Sequence, residues 1–352
     1  VITKNKKILD LLKKKNVNGF GYGKQMIGGK EAGIGLVVTV TKKEPQRKLK
    51  KADIVPSKID NIATDVIEIG EIKALLPRGI PAKKANEVRS LEVDRTSRQR
   101  PFSMGMSIAH RDVTAGTAGC LVKRIGDDKD IFVLSNNHVL ANMNDAEIGD
   151  LIVQPGPHDG GLTSQDVVGH LTQFIPIKYN TCQTSNLTTK MLNRISKIMR
   201  SSAEFTYILN RAKAESVNFV DCAIAKLDVP NIAKKTLLGI GDITKWGGPV
   251  QVSDTLKKTG RTTEVTEMKV DILDWTGQVA YGANMAIFSD QYLCSSTGTG
   301  PASQGGDSGS AVVKVSGREI DLVGLLFAGS DQFTIVSKIK YALEGLKVQP
   351  VF

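Results

Sequence analysis

Between residues 101 and 352 the apolar residues arrive in short runs, Gly119–Lys123, Ile131–Ser135, Cys222–Leu227, Ala311–Val315 and Leu322–Phe327, parted by Gly, Asp and Asn turns. Runs this short suit strands better than helices, and many short strands with turn signals between them are the pattern of an all-β barrel or sandwich. One stretch departs from it. In Leu187–Glu215 basic residues alternate with Leu192, Ile195, Ile198, Met199, Tyr207 and Ile208 at helical spacing, which predicts a helical insertion. It would serve as a regulatory or oligomer contact, or simply cover the barrel. The tail Ser337–Leu346 reads as a closing helix.

Upstream the texture differs. Ile2–Lys15 places Ile8, Leu11 and Leu12 among lysines, as a short basic amphipathic helix or a disordered arm. Val17–Gly23 and Ile34–Lys42, with Gly28-Gly29 between them, predict a hairpin. Asp65–Ile69 adds a further strand, so residues 1–75 read as a small α/β domain. Residues 76–100 are rich in proline and charge without periodicity, as expected of an extended linker. A chain of 352 residues accommodates this division and a sizeable core.

No apolar run approaches the roughly 20 residues of a membrane helix, the longest β-like run being Gly33–Val40, so a membrane-spanning helix is excluded. Cys120, Cys182, Cys222 and Cys294 lie far apart with no CxxC spacing, which argues against a zinc module or a disulfide scaffold. The net charge of +11 points at first to nucleic acid or an anionic surface. Residues 1–60 hold 15 Lys/Arg against 5 Asp/Glu, however, and the rest of the chain is close to neutral with 32 against 31. Any such partner is therefore expected only through residues 1–60.

Chemistry concentrates in Gly305-Gly306-Asp307-Ser308-Gly309-Ser310. A nucleophilic serine needs room for a carbonyl and backbone N–H groups aimed at the oxyanion that forms, which flanking glycines permit. It also needs a general base, and the chain has four histidines, His110, His138, His158 and His170. His138 follows the apolar run Ile131–Ser135 at a strand-to-helix junction, where a barrel presents a side chain to solvent. Asp221, set among the apolar residues of Phe219–Leu227, is costly to bury without a partner, and His138 is a candidate for that partner. The other three histidines read as structural or solvated. Trp246 and Trp275 read as core or strand residues, and Gly260-Arg261-Thr262-Thr263 as a structural turn near the nucleophile loop, with Arg261 a candidate substrate contact.

His138, Asp221 and Ser308 occur in that order, 83 and 87 positions apart, and with this order residues 101–352 resemble a trypsin-like (chymotrypsin-fold) serine peptidase. The segments Thr114–Cys120, Gln154–Gly161, Gly260–Thr263 and Gly324–Ser330 are similar to a bacterial group of such peptidases with a short N-terminal domain, to which plant narrow-leaf proteases are distantly similar. The resemblance implies a mainly β double barrel and a serine endopeptidase. Ser308 would be nucleophile, His138 base and Asp221 its orienting acid, with the backbone N–H groups of Gly306 and Ser308 as oxyanion hole. It assigns Ala302, Gln304, Gly329 and Thr334 to the substrate pocket and implies no cofactor and no metal.

The departures also carry expectations. Relatives that cut after Lys or Arg have an acid where this chain has Ala302, so a small or medium apolar P1 residue is expected. Zymogen-type relatives order the pocket with a freed Ile/Val-Gly-Gly terminus beside the Asp of the nucleophile loop; none precedes His138, so another contact must hold Asp307 or the pocket is preformed. Phe327 stands where many relatives bond the catalytic Asp through a serine, so Asp221 needs other support. The position whose cysteine would pair with Cys120 is Val139, which favours a cytoplasmic over a secreted protein. The expected partner is a protein or peptide substrate, with homo-oligomer formation left open. The competing reading is a basic binding or scaffold protein on a peptidase fold.

Overall fold

All five short apolar runs form strands, Cys120–Arg124, Ile131–Ser135, Ala223–Leu227, Ala311–Ser316 and Glu319–Gly329. The structure, a computed structural model, describes residues 5–27, 30–75, 93–127, 129–180 and 216–352. In an eight-stranded sheet Ile131–Ser135 lies between Cys120–Arg124 and Ala223–Leu227, antiparallel to both. A thirteen-stranded sheet holds Ala311–Ser316, Glu319–Gly329 and Phe333–Lys338 in consecutive antiparallel order. The molecule is mainly β, with a closed six-strand barrel and a curled half-barrel, the double-barrel class expected. Val133, Leu134, Ile224 and Ala225 of the first sheet are buried in one apolar core that continues into Val313, Leu322 and Leu325 of the second.

The closing helix is Ile339–Leu346, two residues shorter than expected because Ser337 and Lys338 complete the strand Phe333–Lys338. It buries Ile339, Ala342, Leu343 and Leu346, the spacing of one helical face. The helix predicted over 187–215 and Cys182 lie outside the described residues, as does 76–92 of the expected linker. Past that point Arg95 is buried, and its guanidinium donates to the Gly260 carbonyl at 3.1 Å. Three described cysteines, Cys120, Cys222 and Cys294, are buried free thiols.

The basic N-terminal stretch takes the helical alternative. Lys6–Leu9 is helical and Asp10–Lys13 continues as a 3-10 turn, so that Ile8, Leu11 and Leu12 are buried against Phe20, Leu36 and Val38. The hairpin Val17–Ile27 and Lys30–Val40 forms with Phe20 opposite Val38. It does not stand apart: Val17–Ile27 pairs antiparallel with the 18-residue strand Glu264–Tyr281, itself hairpinned to Asn284–Ser296. Gly19, Gly21 and Gly23 make this approach feasible. A Cβ at these positions would come within 2.4–2.6 Å of the facing strand, where Trp275 lies against Gly19. Trp275 is fully buried and donates to Thr39 Oγ1 at 3.2 Å, whereas Trp246 is partly exposed in a two-residue strand.

Ile69 and Ile72 are buried in one cluster with Trp275, Tyr281, Phe288 and Phe327. Burying each isoleucine contributes roughly 1.5–3 kcal/mol, so residues 69–72 are firmly anchored to the second sheet. The chain then enters the second sheet as Lys73–Ala74, antiparallel to Ala328–Gly329 and with Lys73 paired to Ala280 on the other side.

Candidate active site

His138 is placed by the barrel. After Ile131–Ser135 the backbone stays extended at Asn136 and turns into the single helical turn Asn137–Leu140, pinned by buried Val139 and Leu140. His138 is buried, not presented to solvent as the junction predicted. Its Nδ1 lies 2.6 Å from Asp221 Oδ2, and its backbone N–H donates to Asp221 Oδ1 at 3.3 Å. Asp221 stands two residues ahead of the strand Ala223–Leu227, fully buried, with its backbone carbonyl accepting from Asn136 Nδ2 at 2.7 Å.

The outside support that Asp221 needs comes from Tyr281, whose hydroxyl donates to Asp221 Oδ2 at 2.7 Å. Burial, reinforced by the Asp221 charge, pushes the Tyr281 hydroxyl well above the ordinary phenol range and keeps it a donor. Tyr281 ends the long strand Glu264–Tyr281, whose mixed polar pattern marks no site. Phe327 instead joins an aromatic column, its ring 4.6 Å from Phe288, which stacks on Tyr281 at 6.1 Å. A hydrogen bond to a charged group contributes about 1.5–3 kcal/mol. Tyr281→Phe is therefore expected to destabilise the fold by about 1.5–3 kcal/mol and, where peptide hydrolysis depends on the Asp221–His138 pair, to lower kcat/KM about 10- to 100-fold, which urea unfolding and peptide kinetics on the variant check.

The loop Gly305–Ser310 is wedged between the sheets. Gly306 has φ of +99°, and a Cβ there would fall 2.5 Å from Thr262 Oγ1, so only glycine fits. Ser308 is tied to the barrel that carries His138 through Thr117 N donating to its carbonyl at 2.8 Å. A Cβ on Gly309 would lie 1.9 Å from Ser135 Oγ, three residues ahead of His138. The loop thus sits directly on the strand that delivers the imidazole.

Asp307 holds the loop from beneath. Oδ1 accepts from Thr262 N at 2.8 Å and Thr263 N at 3.1 Å, and Oδ2 from Thr263 Oγ1 at 2.7 Å and Gln304 N at 2.9 Å. A buried cation completes the set: Lys258 Nζ lies 3.6 Å from Asp307 Oδ2, both side chains fully buried. Burial lowers the Lys258 pKa and the Asp307 charge opposes that shift. Nothing in the lysine's sequence neighbourhood distinguishes it. Arg261 forms a buried pair with Asp159, Nε to Oδ2 at 2.9 Å, so Gly260–Thr263 is the structural turn expected.

Of the pocket residues, Ala302 is buried in an apolar cluster with Leu326 and Val336. Thr334 lies opposite Gly329, and its hydroxyl bonds the Ser303 hydroxyl at 2.7 Å; Ser303 was not foreseen. Gln304 is exposed and reaches the site through its backbone N–H. Of the other imidazoles, His110 is engaged with Asp150 at 3.1 Å and His170 with Asp228 at 2.9 Å, while His158 is exposed.

The groove beside Ser308 holds part of the same chain. Leu75 N donates to the Phe327 carbonyl at 3.2 Å, and the Leu75 carbonyl accepts from Gly306 N at 3.0 Å and from Ser308 Oγ at 3.2 Å. The Ser308 hydroxyl is also 3.3 Å from the Phe327 carbonyl. His138 Nε2 is buried without a hydrogen-bond partner, so the serine–histidine bond is not made in this arrangement.

No family model and no curated protein matches the chain. Among solved structures it is similar to Thermobifida fusca Protease A (11% identity, TM-score 0.42, covering 71% of this chain and 98% of that one). It is also similar to a glutamic acid specific serine protease (17%, 0.41, 71% and 100%) and to Cellulomonas bogoriensis chymotrypsin (9%, 0.39, 71% and 99%). Similarity at this level bears on neither substrate nor residue roles, which rest on the geometry of the site itself.

Proposed function

We propose that the chain is a serine endopeptidase. The observation that carries this reading is the buried chain Tyr281–Asp221–His138, with one imidazole nitrogen unpartnered, beside a serine whose loop offers the Gly306 N–H to a peptide carbonyl. In the reaction Ser308 Oγ attacks a substrate carbonyl while His138 Nε2 takes the hydroxyl proton. Asp221 fixes the Nδ1–H tautomer and stabilises the imidazolium. The oxyanion meets the N–H groups of Gly306 and Ser308. His138 then passes its proton to the leaving amine, and water hydrolyses the acyl-enzyme with the same imidazole as base. No added group is required: the basic and acidic roles alternate on one ring.

The pocket side favours apolar P1 residues. Ala302 brings no charge to its floor, and the hydroxyls of Ser303 and Thr334 satisfy each other. A peptide library digested by the wild-type chain is expected to show small or medium apolar residues at P1 and no cutting by Ser308→Ala. A profile led by Lys or Arg would overturn the specificity; equal cutting by both proteins would overturn the assignment of Ser308.

A further inference from the structure

We propose that Lys73–Leu75 is the resident ligand of this groove: the chain fills its own acyl-side substrate site, with Leu75 seated as the P1 residue. The proposal rests on the endopeptidase reading and names the peptide chemistry that the site takes. A peptide substrate adds to a sheet edge by backbone pairing and presents one carbonyl to the nucleophile and its oxyanion donors. Lys73 and Ala74 supply that pairing, against Gly329 and Ala328. Leu75 supplies the carbonyl, 3.2 Å from Ser308 Oγ and bonded to Gly306 N at 3.0 Å. Its side chain packs against the apolar cluster containing Ala302, Leu326 and Val336, the surface expected to receive an uncharged P1 residue. The Ser308 hydroxyl is correspondingly turned to this segment and away from His138.

The segment is held from its N-terminal side by buried Ile69 and Ile72, by the Ala280 N–H donating to the Ile72 carbonyl at 2.9 Å, and by Asn18 Nδ2 donating to the Gly70 carbonyl at 2.7 Å. A short tether of this kind competes with free peptides at an effective concentration on the order of millimolar. Two residues past Leu75 the sequence places Pro77, which has no N–H to donate to a strand edge, a feature suited to an occupant that is consumed slowly. Cleavage there consumes one water, breaks the bond from the Leu75 carbonyl to the Leu76 nitrogen, and leaves a carboxylate on Leu75 and an amine on Leu76.

The test uses acetyl-Lys-Ala-Leu-aminomethylcoumarin, which copies residues 73–75, on the full chain and on Leu75→Asp, with a fluorophosphonate label reporting access to Ser308. Leu75→Asp is expected to raise kcat/KM about tenfold or more, chiefly through KM, and to speed labelling by a similar factor. Intact-mass analysis adds a second support: wild-type chain cut after Leu75 and Ser308→Ala left whole. Equal hydrolysis and labelling in the two forms, with the wild-type chain uncut and both melting cooperatively, would overturn the self-occupied groove while leaving the peptidase intact. Absence of labelling in both would overturn the peptidase reading and this one with it.

Discussion

Ser308→Ala is expected to lower kcat on the best library peptide by about a million-fold, the scale on which a triad serine acts. The fold has little stake in the hydroxyl. Its bonds to the Leu75 and Phe327 carbonyls are long, at 3.2 and 3.3 Å, and the backbone carbonyl of residue 308 keeps its tie to Thr117 N. The change in unfolding free energy should stay below about 1 kcal/mol. Because the proposed mechanism passes one proton between Ser308 and His138, His138→Ala should cost about as much and the double variant no more. Activity that falls in step with melting temperature would instead mark Ser308 as structural.

Lys258→Met is expected to remove about 3–5 kcal/mol of stability in urea unfolding, because it leaves the Asp307 carboxylate charged and buried without its cation. An isolated buried pair can often be exchanged for apolar residues at little cost. This one cannot, since Asp307 also accepts from Thr262 N, Thr263 N and Gln304 N, and replacing both partners would orphan those donors. The same contacts set the conformation of Gly306, so turnover should fall as well. A variant that keeps full stability would show that the four hydrogen bonds alone hold the loop.

The short strands were legible because each is apolar, bounded by turn residues and buried on its inner face. Ser308, His138 and Asp221 stood out because few residue types can carry such chemistry and a carboxylate among apolar residues demands a partner. Tyr281 and Lys258 were not legible. Each acts through an approach created by the long hairpin Glu264–Ser296 and its neighbours, where polar and apolar residues alternate without a functional mark. The alternate glycines at 19, 21 and 23 did carry a signal, since three residues without side chains on one face of a strand require a close partner, but only the fold identifies it as Glu264–Tyr281. Leu75 was hidden for a different reason: it falls at the start of a proline-rich and charged stretch, and its role depends on where Ile69 and Ile72 anchor the chain.

That anchoring changes the meaning of the basic N-terminal residues. The stretch that carries the chain's excess positive charge is built onto the sheet that ends at the nucleophile loop, and it delivers residues 73–75 into the groove.

In the proposed mechanism Ser308 is a nucleophile activated by His138. Reaction of the wild-type chain and of Leu75→Asp with a fluorophosphonate, followed by peptide mapping, is predicted to give one adduct, on Ser308, abolished by His138→Ala. No adduct in either form, or an adduct on another serine, would contradict it.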